Sequence, residues 1–380
     1  MRASGTTLPR VVDAVERVAA RAADADELLE GVATEVGKAI PYDGAMWFGI
    51  DPTTLLAVAP SRMEQLDDGY CNTFWFGEFH EQDANLFVDL ARDPSPVATL
   101  RTATDDRPMR SARYRDFLQP QGWDDEVRVV FRTGDRSWGA AGLYREPGRD
   151  PFDKDDVAVL EAISPIVANA FRTHAALGVP TPGFAHAPGL MLFDRSGGIL
   201  SANDAATRWL ADIYGTDPGT DWFEILAGLD SPDVEAAIPI IPLIARAHAV
   251  AAGRDPREAR SRLRDRSGRW LVLHASVLEG SANEGNVAIV VEPAKSADIA
   301  PIIIEAYGLT PRERDVVRAI ARGSSTPEIA AELFLSAHTV RDYIKSVFDK
   351  VGVSSRGELV AKLFAEHYSD PFHETLVHLH

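Results

Sequence analysis

Leu309 to Phe364 reads LTPRERDVVRAIARGSSTPEIAAELFLSAHTVRDYIKSVFDKVGVSSRGELVAKLF, and everything upstream in the 380-residue chain reads as input to it. Three helix starts in this stretch carry capping side chains. Thr310 is followed by Pro311 and Glu313, Thr326 by Pro327 and Glu328, and Ser355 by Glu358. Thr310-x-x-Glu313 and Ser355-x-x-Glu358 have the capping-box spacing, in which each side chain bonds the other residue's backbone N–H. A proline in the first helical turn loses nothing there, because that N–H has no helical partner. Val316, Val317, Ile320 and Ala321 share one face of the first helix, and Gly323 supplies the left-handed residue that ends it. The second helix is short, buries Ile329, Ala330 and Leu333, and stops at Phe334-Leu335. Ser336 caps a third, with Val340, Ile344, Val347, Phe348 and Val351 inward and His338, Arg341, Asp342, Lys345 and Asp349 outward. Two helices, a turn of a few residues and a capped helix with exposed basic groups make a helix-turn-helix.

At this point the segment resembles the LuxR-type transcription-regulator domain. The family pattern of Leu-Thr-x-Arg-Glu, Ile-Ala-x-x-Leu, Ser-x-x-Thr-Val, Lys-Leu-Gly-Val-x-Ser-Arg and Glu-Leu/Ala-Val appears here at Leu309–Glu313, Ile329–Leu333, Ser336–Val340, Lys350–Val353 and Ser355–Val360. Val351 replaces the usual Leu, and Tyr343 stands where the family usually has His. Asp342 puts a negative charge on the outward face; phosphate repels it, but a cytosine amino group can donate to it. The resemblance implies double-stranded DNA as partner, with Ser336 starting the recognition helix and His338, Thr339, Arg341, Asp342 and Lys345 on the groove side. Thr326, Lys350 and Arg356 would then touch flanking phosphates. The family usually binds as dimers through its fourth helix, here Leu359, Leu363 and Phe364, and the same three residues serve equally well as the monomer's core. A homodimer and the transcription machinery are the implied protein partners.

Composition is that of ordinary globular material, 45% apolar and 25% charged. The length is too great for one core, so two or three domains are expected. No run of eighteen apolar residues occurs, and the amino terminus lacks the continuous apolar centre of a secretory signal, so no membrane partner and a cytoplasmic location are expected. The single cysteine, Cys71, excludes an internal disulfide framework and cysteine-pair zinc sites, and is expected to behave as a small buried hydrophobe. Net charge is −18, unevenly spread. Leu309–Tyr368 carries nine Lys and Arg against eight Asp and Glu, whereas residues 1–308 carry thirty against forty-seven. The acidity therefore lies in the upstream part, which phosphate repels.

Upstream, residues 8–40 read as two helices, striped by Leu8, Val11, Val12, Val15 and Val18 and by Leu28, Leu29, Val32, Val36 and Ile40. Strands are expected at Ala45–Ile50 and Leu55–Ala59, a helix at Ala84–Ala91, and then a turn-rich region. Glu126–Arg132 and Ser137–Tyr144 read as a hairpin about Gly134-Asp135. Phe152-Asp153-x-x-Asp156 opens a long helix with a kink expected at Pro165. This order resembles a GAF domain, residues 1–177. Residues 178–189, with three prolines and three glycines, read as a linker. Residues 190–293 open with two strands about Asp194-Arg195-Ser196-Gly197-Gly198 and Asn203 at a helix start, then continue to strands at Ala259–Arg264, Trp270–Leu278 and Asn286–Val291. That resembles a PAS domain. Residues 294–308 join it to the helix-turn-helix domain, 309–368, and 369–380 form a tail. The expected fold class is thus multidomain: two α+β sensor-like domains, GAF-like and PAS-like, followed by an all-α four-helix helix-turn-helix domain.

Three rival functions stand against this reading. An enzyme would need a Gly-x-x-x-x-Gly-Lys phosphate loop, a Gly-x-Ser-x-Gly elbow or a paired-histidine metal helix, none of which occurs. A response regulator would open on an apolar strand ending in paired acids, where this chain reads as helices. A protein-interaction module fits poorly with Arg341 and Lys345 beside a capped helix start. Of the ten histidines, His80, His174 and His248 lie upstream without a second histidine at helical spacing, so packed or surface imidazole is expected, not a metal or a haem. No catalytic residue, metal or cofactor is assigned. A small molecule in either sensor-like domain is a candidate ligand that the sequence does not name.

Overall fold

The computed structural model describes residues 4–66, 70–177, 187–217, 219–227, 238–280 and 284–365. Residues 178–186 of the expected linker and the expected tail, with His373, His378 and His380, lie outside the described residues, as does the side chain of Phe364.

Two antiparallel five-stranded sheets share one compact unit. The first follows two helices, α1 (Ser4–Arg21) and α2 (Ala25–Ala39); Asp24 caps α2 by accepting from the Glu27 N–H at 2.9 Å. Strands β1 (Gly44–Ile50) and β2 (Ala57–Glu64) precede α3 (Cys71–His80), α4 (Phe87–Leu90), β3 (Val97–Thr99) and α5 (Leu100–Ala103). The hairpin β4 (Asp125–Thr133) and β5 (Arg136–Arg145) then leads into α6 (Lys154–Leu177). The sheet order is β2-β1-β5-β4-β3.

Two expectations need correction here, and one helix lies outside the sequence reading. The second strand begins at Ala57, because the Asp51 carboxylate accepts from the N–H groups of Thr53 and Thr54 and holds a turn through Leu55, whose φ is +60°. The helix expected at Ala84–Ala91 shrinks to α4, since Asn85 adopts a left-handed φ. Helix α3 was not anticipated at all, because Phe74, Trp75, Phe76 and Phe79 surround it and leave no 3.6-residue alternation to read. Pro165 lies within α6, which runs unbroken past it. The neighbouring Ser164 hydroxyl bonds the Val130 carbonyl and fixes the helix to the sheet.

The second sheet comprises β6 (Gly189–Phe193), β7 (Ile199–Ala202), β8 (Arg260–Arg264), β9 (Trp270–Val277) and β10 (Val287–Pro293), in the order β7-β6-β10-β9-β8. Helices α7 (Asp204–Tyr214), α8 (Trp222–Ala227) and α9 (Ile240–Ala251) lie between its second and third strands. Asn203 caps α7 as expected, accepting from the Ala206 N–H. Two turns of this sheet share one device: Asp194 accepts from the N–H groups of Ser196 and Gly198, Asp265 from those of Ser267 and Arg269, and a glycine supplies the positive φ in each. The last strand, read from sequence as far as Val291, runs on through Glu292 and Pro293 to the end of β10.

The two sheet domains are fastened to each other by polar contacts. One Asp51 oxygen takes the Thr53 and Thr54 N–H groups, and the other accepts from both the backbone and the guanidinium of Arg262 at 3.0 Å. Arg246, fully buried, donates to the Thr54 carbonyl, and α3 packs along α9. The joining stretch 294–308 carries a further helix, α10 (Ser296–Ala306), which belongs to a second unit with the remaining helices.

Candidate nucleic-acid interface

In the second unit, α10 is followed by α11 (Pro311–Ala321), α12 (Thr326–Glu332), α13 (Ala337–Val351) and α14 (Arg356–Val360), which ends in a wide turn over Ala361–Ala365. Thr310 caps α11 in the expected box, its N–H reaching the Glu313 carboxylate at 2.6 Å. The buried stripe of α11 is Val316, Val317, Ala319 and Ile320. Ala321, expected on that face, is exposed. Gly323 leaves the helix at φ +85°.

The cap of α12 is Ser325, not Thr326. Ser325 stands three residues before Glu328, the distance a capping box needs, and both reciprocal bonds form. Ser336 caps α13, accepting from the Thr339 N–H at 3.0 Å. At α14 the box is split between two serines: Ser355 accepts from the Glu358 N–H, while Glu358 accepts from the Ser354 N–H and hydroxyl.

Ile329, Ala330, Val340, Val347 and Val351 are buried, Leu333, Ile344 and Phe348 half-buried. Leu359 and Leu363 are 1% and 0% exposed, so both belong to the unit's own core, beside α10 with Ile299, Ile302, Ile303 and Ala306. The two alternatives left open for them are thereby separated: a partner subunit would find neither side chain on the surface.

A hub that the sequence did not announce holds the frame. The Glu313 carboxylate, 3% exposed, accepts from the Thr310 N–H, the Ser346 hydroxyl at 2.7 Å and the Lys350 ammonium at 2.6 Å. Burial would raise its pKa, but the bonds from Lys350, Ser346 and Thr310 outweigh that and hold it at about 2. Two of its partners lie 33 and 37 residues away, so only the folded unit assembles it.

The expected site residues fall into two groups. Lys350 is tied to Glu313, and Arg356 donates to the Ser324 carbonyl at 2.6 Å and to the Thr326 hydroxyl at 2.8 Å, so Thr326, Lys350 and Arg356 already have partners within the unit. Ser336 and Thr339 share a hydroxyl contact of 2.8 Å at the cap. In contrast, His338, Arg341, Asp342 and Lys345 are all exposed along one side of α13. The His338 ring lies 3.8 Å from the Asp342 carboxylate, and among the described residues Arg341 and Lys345 make no ion pair. The side of the helix that should meet a polyanion thus carries two uncommitted cations.

The family model described as bacterial regulatory proteins, luxR family, matches residues 308–363. The spore germination protein GerE of Bacillus subtilis (strain 168) is 44% identical over 55 residues, 14% of this chain and 74% of GerE. The chain belongs to the luxR family. It is a luxR-family DNA-binding transcription regulator with a helix-turn-helix domain at residues 308–363. A probable transcriptional regulatory protein, NarL of Mycobacterium tuberculosis (strain ATCC 25618 / H37Rv), is 28% identical over 159 residues, 38% of this chain and 71% of NarL. Among solved structures, the GAF domain of a phosphoenolpyruvate-protein phosphotransferase from Coxiella burnetii covers 44% of this chain and 93% of its own at 12% identity and a TM-score of 0.32, an overlap too loose to fix a shared fold.

Elsewhere, no helix among the described residues is long and apolar enough to cross a membrane, and no group of His, Cys, Asp and Glu among them is arranged to hold a metal. His80 instead bonds the Ala245 carbonyl and the Arg254 guanidinium. Cys71, expected to be buried, is half-buried against the core, and desolvation there pushes its thiol up to about 12, which favours the protonated form near neutral pH. A cavity beside Phe74, Glu78, Arg113 and Phe117 has a volume of about 40 Å³.

Proposed function

We propose that α13 reads the major groove of an operator, as one half of a homodimer, under the control of a GAF-like domain (1–177) and a PAS-like domain (190–293). The helix-turn-helix domain spans 309–368 as a four-helix module, with 178–189 and 294–308 as joining segments and 369–380 as tail. The observation that carries this reading is the outward face of α13, where Arg341 and Lys345 stand exposed behind the Ser336 cap. Arg341 presents a planar fork suited to guanine O6 and N7, and Lys345, one turn on, a point charge suited to phosphate. His338, Thr339 and Asp342 complete the reading face, with Asp342 accepting from a cytosine amino group. Thr326, Lys350 and Arg356 meet flanking phosphates with side chains already held in place, which lowers the ordering cost of the contact. A small molecule in either sheet domain and the transcription machinery are the further partners, and the setting is cytoplasmic.

The test separates two roles on one helix. Arg341→Ala is expected to cost about 1–3 kcal/mol on the operator and to relax preference at one base position. Lys345→Ala is expected to weaken all duplexes alike and to lower the salt slope by about one unit. Wild-type binding of operator and random DNA by both variants across a salt series would remove the groove assignment.

A further inference from the structure

The turn between α12 and α13 holds a side chain that neither backbone nor core accounts for. Among the described residues of this unit, four adopt left-handed φ: Gly308 at +63°, Gly323 at +85°, Gly352 at +70° and Phe334 at +55°. Glycine does so freely, whereas a residue with a β-carbon bears a cost of about 1 kcal/mol. The Leu335 N–H reaches the Ala330 carbonyl at 2.9 Å, so the turn is closed by backbone bonding that needs no phenyl ring. Nor does the ring serve packing. Phe334 is 95% exposed, while the next most exposed large apolar side chain among the described residues, Met109, reaches 53%.

Its place in the chain supplies a use. Phe334 stands two residues before Ser336, the cap of the recognition helix, at the end of that helix whose residues meet base edges in a helix-turn-helix. The exposed side chains that follow at His338, Arg341, Asp342 and Lys345 are all polar. The major groove offers one apolar group to read, the 5-methyl of thymine.

We propose that Phe334 is a specificity-determining residue whose ring packs on a thymine methyl at the edge of the half-site, adding a base preference that the polar face does not supply. This rests on the groove-reading role of α13. Phe334→Asn is the informative change, because Asn tolerates left-handed φ and the ring has no core contact to lose.

A preferred duplex is selected by the full chain from a random-sequence pool, and each thymine in it is then replaced singly by deoxyuridine. For wild type, one replacement is expected to weaken binding about threefold to fivefold, the worth of one buried methyl group. For Phe334→Asn, affinity for the unmodified duplex is expected to fall by a similar factor and the deoxyuridine effect to vanish, with the thermal midpoint unchanged or raised. Phe334→Gly should behave alike and stands in if the Asn variant folds poorly. Equal affinity of wild type and variant, or an equal deoxyuridine penalty in both, overturns the assignment. So does unchanged duplex affinity with lost transcription in a purified polymerase assay, which gives the ring to a protein partner instead. If wild type prefers no duplex, it is the groove-reading role that fails first, a result distinct from a wild type that selects DNA but ignores the methyl.

Discussion

The two sheet domains share one strand order, second-first-fifth-fourth-third, but place their buried charge differently. Under the first sheet, Arg128 is fully buried between the rings of Phe74 and Phe87 and pairs with Glu126 at 2.8 Å and with Glu78. Arg113 adds a second guanidinium on Glu126. Beneath the second sheet Met191, Phe193, Trp209, Leu271, Leu273, Ile244 and Ile289 form an apolar layer at 0% exposure, and the buried charge lies apart from it, with Arg246 of α9 paired to Asp255 and Arg262 of β8 paired to Asp51. Strand order is thus indifferent to what lies beneath it, and the two interiors should answer differently to substitution and to pH. A buried ion cluster specifies its arrangement sharply but leaves uncompensated charge when one member goes. A hydrocarbon interior loses only contacts.

The largest expected effect comes from Arg128→Met, which takes the close guanidinium from buried Glu78 and leaves Glu126 with Arg113 alone. It should cost about 3–5 kcal/mol in the denaturant unfolding of the first domain, and a cost below about 1 kcal/mol would mean that the cluster is solvated. Next is the pH response of Asp125, at the start of β4. Burial raises its pKa first, with the Phe152 N–H and Arg101 working against it, and it settles at about 6, above the unfolded 3.8. A raised carboxylate favours the folded state at low pH and loses that contribution as pH climbs from 3.8 through 6. Asp125→Asn should therefore flatten the pH dependence across that window and gain about 1–2 kcal/mol at pH 8 relative to wild type. Stability curves that keep the same slope in both proteins would refute it. The smallest effect belongs to the second interior. Ile289→Val, one methylene lost from a fully buried site, should cost about 0.5–1.5 kcal/mol with no pH dependence, and a pH-dependent cost would show that the buried charge of this domain acts on the apolar layer too.

What the sequence disclosed follows the range of the forces involved. Caps at Thr310, Ser336 and Asn203, the turn aspartates and the outward face of α13 are local, set within four residues, and were legible. The pairing of Glu313 with Ser346 and Lys350, and of Arg128 with Glu78 50 residues away, exists only after distant segments meet. The aromatic run of α3 offers no alternation to read because Phe74, Trp75, Phe76 and Phe79 fall on more than one face of the helix. Phe334 marks the end of the second helix in the sequence, but nothing in its neighbours announces a ring left in water.

The carboxylate of Asp51 leaves a mark on how this molecule can change over generations. One oxygen serves its own loop and the other serves Arg262, 211 residues later in the chain. A recombination event that exchanged one sheet domain for a foreign one would leave the retained member of this pair buried without its partner. The contact therefore works against exchanging either sheet domain alone, a constraint that does not extend to the helical unit beginning at α10.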